Sequence, residues 1–258
     1  MGQNIKIKRG LDINLEGSPS NDIYSVNSPA TFAIKPTDIK GLVPKMNVKQ
    51  GDEVKAGDCL FTDKKNERIC FTAPVSGEIA EVVRGDRRAI LEVKILADSK
   101  VSFKSFDTSG YETKSADEVK ELLLTSGLWP FIVQRPFGVL ADPSVTPKAI
   151  HVSGFDSAPL AADVSITLKG EEANIKAGFE VLKKLTSGKV HLNLHSAKDS
   201  SVYAAVEGVE RNDFSGPHPS GLVGVQINKI DPINKGEVVW TLKPQHVAFI
   251  GKFFETGN

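Results

Sequence analysis

The stretch VKQGDEVKAGDCLF (residues 48–61), followed downstream by APVSGEI (residues 73–79), decides how the first part of this chain folds. Gly51 and Gly57 supply turns, and Val48, Val54 and Leu60 recur at short intervals, as core residues of brief strands do. Outward from it the same grammar continues. Val43, Ile69-Cys70-Phe71, Ile79, Val82-Val83 and the run from Ile90 to Leu96 are short apolar pieces, with Gly41, Gly77 and Gly85 between them. On the amino-terminal side Ile5, Ile7, Leu11, Ile13 and Leu15 keep period two around Gly10, which predicts half-buried strands joined by a turn. Residues 1–100 are thus predicted to be β throughout, as a small barrel or sandwich.

The quoted pieces resemble the biotinyl/lipoyl barrel-sandwich domain. A working carrier of that kind needs a modifiable lysine at the tip of the hairpin between them. Counting without gaps from Leu60 to Ala73 puts Asn66 there, with Lys64 and Lys65 nearby and no flanking methionine. The resemblance therefore implies the fold without a swinging arm. Arg84-Gly85-Asp86 reads as a β-turn, and Arg87-Arg88 beside it as a solvated edge.

Beyond residue 100 the period changes. Residues 116–126 (ADEVKELLLTS) carry acidic residues early and apolar ones at helical spacing, with Ser115 as cap and Gly127 as stop. Residues 149–152 suit a buried strand. In residues 171–185 (EEANIKAGFEVLKKL), Ile175, Phe179, Leu182 and Leu185 line one helix face, and residues 189–195 (KVHLNLH) alternate as a strand. Strand, helix, strand is a βαβ unit and predicts a parallel sheet over residues 101–258. His191, Asn193 and His195 share one face of that strand, read as facing solvent or a partner rather than a metal. His151 and His246 are read as isolated structural residues.

Composition narrows the function classes. The chain has 258 residues with 32 Lys+Arg against 32 Asp+Glu. Zero formal charge argues against nucleic acid as a partner and against an electrostatic membrane anchor. No apolar run approaches the ~20 residues that span a bilayer. The opening MGQNIKIKRG lacks a signal peptide's apolar core, and Lys6 occupies the place where a myristoylation signal needs Ser or Thr. Two cysteines, Cys59 and Cys70, make no disulfide framework and no CxxC pair, so a cytoplasmic protein is expected. There is no Walker lysine loop, no dinucleotide fingerprint, and no catalytic constellation that motifs alone reveal.

Two stretches remain. SGPHPSGL (residues 215–222) sets His218 among two glycines and two prolines, a rigid loop that either carries function or is a structural turn. SGLWPFIVQRPF (residues 126–137) holds Trp129, Phe131 and Phe137, which either line a slot for a flat apolar ligand or are core aromatics at a domain junction.

Taken in order, IKIKRGLDINLEG, VKQGDEVKAGDCLF…FTAPVSGEIAEVVRGDRR, LLTSGLWPFIVQRPFG, SGPHPSGLVG and VVWTLKPQHVAFIGKFFETG resemble the peripheral, cofactor-free subunit of the bacterial sodium-translocating NADH:quinone reductase. That family is longer, so the resemblance implies an amino-terminal fragment lacking a further β-grasp-like domain and a helical tail. It implies a barrel-sandwich hybrid domain packed on a Rossmann-like α/β domain, within an α+β to α/β fold class. It further implies a location on the cytoplasmic side of the inner membrane, with the other subunits of the complex as partners and an association with ubiquinone. Flavins and iron–sulfur centres would belong to those partners, none to this chain, and the fragment alone would be inactive.

The family is related to the flavin-bearing NADH-binding subunit of respiratory complex I and to an electron-transport subunit of the Rnf complex. In the complex I relative a glycine-rich loop follows Ser-Gly-Leu and admits flavin. Here Trp129-Pro130-Phe131 follow, and bulky side chains replace the backbone approach a phosphate needs. Trp129, Phe131 and His218 are accordingly the candidate quinone contacts, two rings to stack and an imidazole to meet a carbonyl oxygen. The alternatives are a flavin-dependent NADH dehydrogenase domain and a purely structural docking subunit.

Overall fold

The computed structural model describes residues 2–17 and 20–258. Its contacts separate two compact units that interleave along the chain. One contains the described residues up to Tyr24, with Val133–Phe137 and Asp142–Glu255; the other contains Ser25–Ile132, Gly138–Ala141 and Thr256–Asn258.

The first strand, β1 (Asn4–Lys6), belongs to the former unit. The latter begins with β2 (Thr31–Ile34), β3 (Pro44–Met46), β4 (Glu53–Val54), β5 (Cys59–Asp63), β6 (Asn66–Thr72), β7 (Gly77–Arg84) and β8 (Ile90–Ala97). They form two antiparallel sheets, ordered β2-β8-β7-β4 and β3-β5-β6. Leu60, Phe61, Ile69, Phe71, Ile79, Val93 and Ile95 are buried, with Phe61 and Phe71 stacked at 4.9 Å between ring centres. Each such side chain contributes about 1.5–3 kcal/mol relative to leaving it exposed. Gly77 has φ +150°, and a β-carbon there would lie 2.0 Å from the Leu96 carbonyl oxygen, so the quoted GEI piece requires its glycine.

The β5–β6 hairpin corrects one detail. Asp63 pairs with Asn66, so Lys64-Lys65 forms the tip and Asn66 already lies in the strand. Irregularities between Cys59 and Phe61 and between Thr62 and Asp63 displace the count that an ungapped comparison makes. After β8 comes α1 (Ala116–Thr125), where Ser115 is the cap its sequence predicts and forms a reciprocal capping box with Glu118. Gly127 follows at φ +80°, then one 3-10 turn over Trp129–Phe131.

Two short strands come next, β9 (Val133–Arg135) in the α/β unit and β10 (Val139–Leu140) in the β-rich one. The α/β unit continues with β11 (Ala149–Ser153), α2 (Val164–Thr167), α3 (Glu172–Lys184), β12 (Lys189–His195), β13 (Glu210–Ser215), α4 (Val223–Ile230), β14 (Val239–Leu242) and α5 (Pro244–Thr256). Within it the hydrogen-bonded order is β1-β13-β12-β11-β14-β9, parallel except where β9 runs against β14. From β11 the chain steps outward to β12 and β13, then returns through α4 to β14 on the other side of β11. The order reverses there, and ligands of open parallel sheets bind beyond the carboxyl ends of strands at such a point. Ile175, Phe179 and Leu182 of α3 are buried as their spacing predicts.

The amino-terminal reading needs correction. Ile5 and Ile7 do not open a hairpin: β1 lies parallel to β13, with Ile5 opposite Phe214. Leu11, Ile13 and Leu15 are 75%, 61% and 51% exposed. The ladder is supplied by a strand some two hundred residues away, and past Ile7 the chain leaves the sheet. Helices α4 and α5 and strands β13 and β14 were not foreseen from the sequence.

Candidate functional site

Because β11, β12, β13 and β1 are parallel, the segments after Ser153, His195, Ser215 and Lys6 emerge at one end of the sheet. The 215–222 loop is built there by close backbone approach. Gly216 has φ +105°, and a β-carbon on it would meet the Ile7 carbonyl oxygen at 2.1 Å. A β-carbon on Gly10 would meet the His218 carbonyl oxygen at 1.9 Å. The His218 N–H donates to Asp12 Oδ1 at 2.8 Å, and the Leu11 N–H donates to the His218 carbonyl at 3.0 Å. The amino-terminal segment thus clamps the histidine backbone from one side.

From the other side comes the loop after β11. Ser157 Oγ and His218 Nδ1 share a hydrogen bond of 2.9 Å, and the Gly221 N–H donates to Ser157 Oγ at 2.9 Å. A hydroxyl and an imidazole are therefore paired at the carboxyl end of the sheet, with the ring oriented by a second loop. Lys198 Nζ donates to the Asp156 carbonyl at 2.8 Å and ties in the segment after β12.

Beneath this lies a buried polar row that crosses the sheet under α4. Gln226 on α4 donates from Nε2 to Ser153 Oγ at 2.8 Å and to the Ser220 carbonyl at 3.0 Å. Its Oε1 accepts from Asn193 Nδ2 at 2.9 Å, and Asn193 Oδ1 accepts from Asn212 Nδ2 at 3.0 Å. The Gln3 N–H completes the row on Asn212 Oδ1 at 3.2 Å. Of the strand face of His191, Asn193 and His195, read from sequence as facing solvent or a partner, His191 and Asn193 are buried instead, with Gln226 of α4 supplying an amide of matching polarity, and His195 at the strand end is partly exposed.

His151 is not isolated either. Its ring stacks on that of His191 at 4.3 Å, its register partner in β12, and its Nε2 has no hydrogen-bond partner. Burial, then the neighbouring His191, lowers its pKa from 6.5 to about 3; burial lowers that of His191 also. Two neutral rings stack without charge repulsion. This row is a scaffold that holds the Ser153 and 215–222 loops in place.

The aromatic stretch lies in the β-rich unit and His218 in the α/β unit. Trp129 is wholly buried, and its Nε1–H donates to the Ala141 carbonyl at 2.8 Å. Phe131 is partly exposed and Phe137 is 72% exposed. A β-carbon on Gly127 would lie 2.2 Å from Thr72 Oγ1, so the turn carrying Trp129 sits hard against β6. Of the candidate quinone contacts, Phe131 and His218 present surface, and Trp129 is the packed foundation of its turn. Ser157 and Gln226 escaped the sequence reading; the polar spacing of residues 191–195 was their one visible trace.

Among the described residues no group of three or more His, Cys, Asp or Glu side chains is disposed to hold a metal ion. No helix among them is long and apolar enough to cross a membrane.

Comparison with known proteins adds the following. The family model described as NqrA N-terminal barrel-sandwich hybrid domain matches residues 5–98, and that described as NqrA second alpha/beta domain matches residues 114–258. The chain is 38% identical over 258 residues to the NqrA subunit of the Na(+)-translocating NADH-quinone reductase of Actinobacillus pleuropneumoniae serotype 5b (strain L20), covering 98% of this chain and 58% of that protein. It is equally 38% identical, over 256 residues, to the same subunit of Yersinia pestis, covering 98% of this chain and 57% of the relative. The corresponding protein of Glaesserella parasuis serovar 5 (strain SH0165) gives 38% over 257 residues with the same coverage. The chain thus spans somewhat over half the length of the curated relatives it matches.

Proposed function

The chain belongs to the NqrA family, and from that premise we propose that it serves as the NqrA subunit of a sodium-translocating NADH:quinone reductase. The observation that carries this reading is the match of both family domains, in order, together with 38% identity across 98% of the chain. The protein sits peripherally on the cytoplasmic side of the inner membrane. It works with partner subunits whose flavins and iron–sulfur centres move the electrons. It holds no redox cofactor of its own. In support, Trp129-Pro130-Phe131 fill the turn after Gly127 with side chains where a phosphate needs bare backbone. Sodium passes through other subunits.

Ubiquinone is contacted by His218. Nδ1 of His218 is held by Ser157, which leaves Nε2 to meet a quinone carbonyl oxygen. Calorimetric titration of the purified chain with a short-chain, water-soluble ubiquinone tests this. Saturable one-to-one binding is expected, weakened at least tenfold in His218→Ala with unchanged circular dichroism; no binding to the parent chain overturns it. The enclosure of Trp129, with its N–H already bonded, favours a second reading in which the chain serves for docking only. Absent quinone binding is what that reading expects.

A further inference from the structure

Cys59 and Cys70 are separated by a hairpin, yet the fold brings them together. Cys59 opens β5 opposite Thr72, and Cys70 lies two residues before Thr72 on β6, paired with Thr62. Across the irregularity between Cys59 and Phe61 the two cysteines are diagonal neighbours on adjacent strands, and each thiol is the strongest influence on the ionisation of the other. The Cys59 S–H donates to the Phe61 carbonyl oxygen at 3.4 Å. Both cysteines are free and partly exposed. Asn47 Nδ2 donates to Cys59 Sγ at 3.3 Å, a contact that favours a thiolate there. Lys104 is the cation that acts on both sulfurs; its Nζ lies 3.9 Å from Asp58 Oδ1, so its charge is shared.

We propose that Cys59 and Cys70 form a reversible redox pair, closed to an intramolecular disulfide between β5 and β6 by thiol–disulfide exchange with a small disulfide such as oxidised glutathione. The Cys59 thiolate attacks one sulfur of the small disulfide, its S–S bond breaks, and one thiolate leaves. Cys70 then loses its proton and attacks Cys59 Sγ, the mixed disulfide breaks, and the second thiolate leaves. In sum, two protein thiols and one small disulfide become one protein disulfide and two small thiols. The order of attack follows from the asymmetry of the pair. The neighbouring Cys70 thiol, against the opposing effect of burial, lowers the Cys59 thiol to about 7, whereas Cys59 and burial raise Cys70. A disulfide of this kind in a reducing compartment is transient and regulatory rather than structural. Its effect here is to staple two neighbouring strands of the β3-β5-β6 sheet.

The test is incubation of the whole chain with oxidised glutathione at neutral pH, followed by intact mass and non-reducing peptide mapping. The expected product has lost two hydrogens, joins the Cys59 and Cys70 peptides, carries no glutathione, and returns to the dithiol with a reductant. Cys70→Ser is expected to trap one glutathione on Cys59, and Cys59→Ser to react about tenfold more slowly at Cys70. Limiting iodoacetamide on the unmodified chain reads the same asymmetry without any substitution, with Cys59 labelled first. A lasting glutathione adduct on the parent chain, a disulfide between two chains, or two unreactive thiols would each overturn the proposal.

Discussion

His151 shows how much a single side chain depends on what lies above it. In the folded chain its pKa is lowered to about 3, against 6.5 ordinarily, because burial and the stacked His191 both disfavour its charged form. Above pH 6.5 neither state binds the proton, and the contribution of the neutral ring to stability is intact. As pH falls from 6.5 toward 3, the unfolded chain takes up a proton that the folded chain refuses, so stability is lost on acidification. The expected outcome is that His151→Phe, which keeps a stackable ring, flattens the fall in unfolding free energy between pH 6 and pH 4 by about one proton, or roughly 1.4 kcal/mol per pH unit. Chemical denaturation at a series of pH values measures this; identical slopes would contradict it. Some of the site was open to reading at this scale. His218 stands out because glycines and prolines crowd around it, and Trp129 because aromatic residues follow a stop glycine. Ser157 and Gln226 did not, since neither residue type is rare, Ser157 meets His218 61 positions on, and Gln226 meets Ser153 73 positions back in the chain.

Among elements, the α3–α5 contact is the most demanding. A β-carbon on Gly251 would lie 1.8 Å from the Asn174 carbonyl oxygen, and one on Gly178 would lie 2.1 Å from the Val247 carbonyl oxygen. The two helices approach until backbone meets backbone, which only glycine on each allows. Gly251→Ala should therefore destabilise the α/β unit by about 1–3 kcal/mol. That is the opposite of the ~1 kcal/mol gain alanine brings to an unpacked helix interior. A lower urea midpoint is the expected result, and an unchanged or higher one would show that the helices can part freely. The same contact explains why the sequence disclosed some elements and hid others. Helices α1 and α3 and strands β11 and β12 announce themselves by caps, charged ends and clear period. Helix α4 starts from Leu222 with no side-chain cap and is rich in β-branched residues; α5 carries a glycine at its centre that reads as a breaker until its packing partner is known. The β1–β13 pairing leaves no local sign at all, because a parallel partner distant in sequence imposes no turn.

For the molecule as a whole, sequence order and spatial order part company. Residues up to Tyr24 fold with the α/β unit, the β-rich pieces follow, and the chain then returns to complete the parallel sheet. The barrel-sandwich reading came through because turn glycines and short strands are local properties, and the α/β reading because one βαβ unit sufficed to declare it. Function was legible mainly through five ordered blocks rather than through any chemistry-bearing motif.

Membership of a sodium-pumping reductase can be decided by affinity purification of the tagged, full-length protein from detergent-solubilised membranes of its own host. The protein is expected to arrive with flavin-bearing membrane subunits and with NADH:ubiquinone reductase activity that sodium stimulates. Recovery of the protein alone, or with subunits whose NADH oxidation is indifferent to sodium, would contradict it.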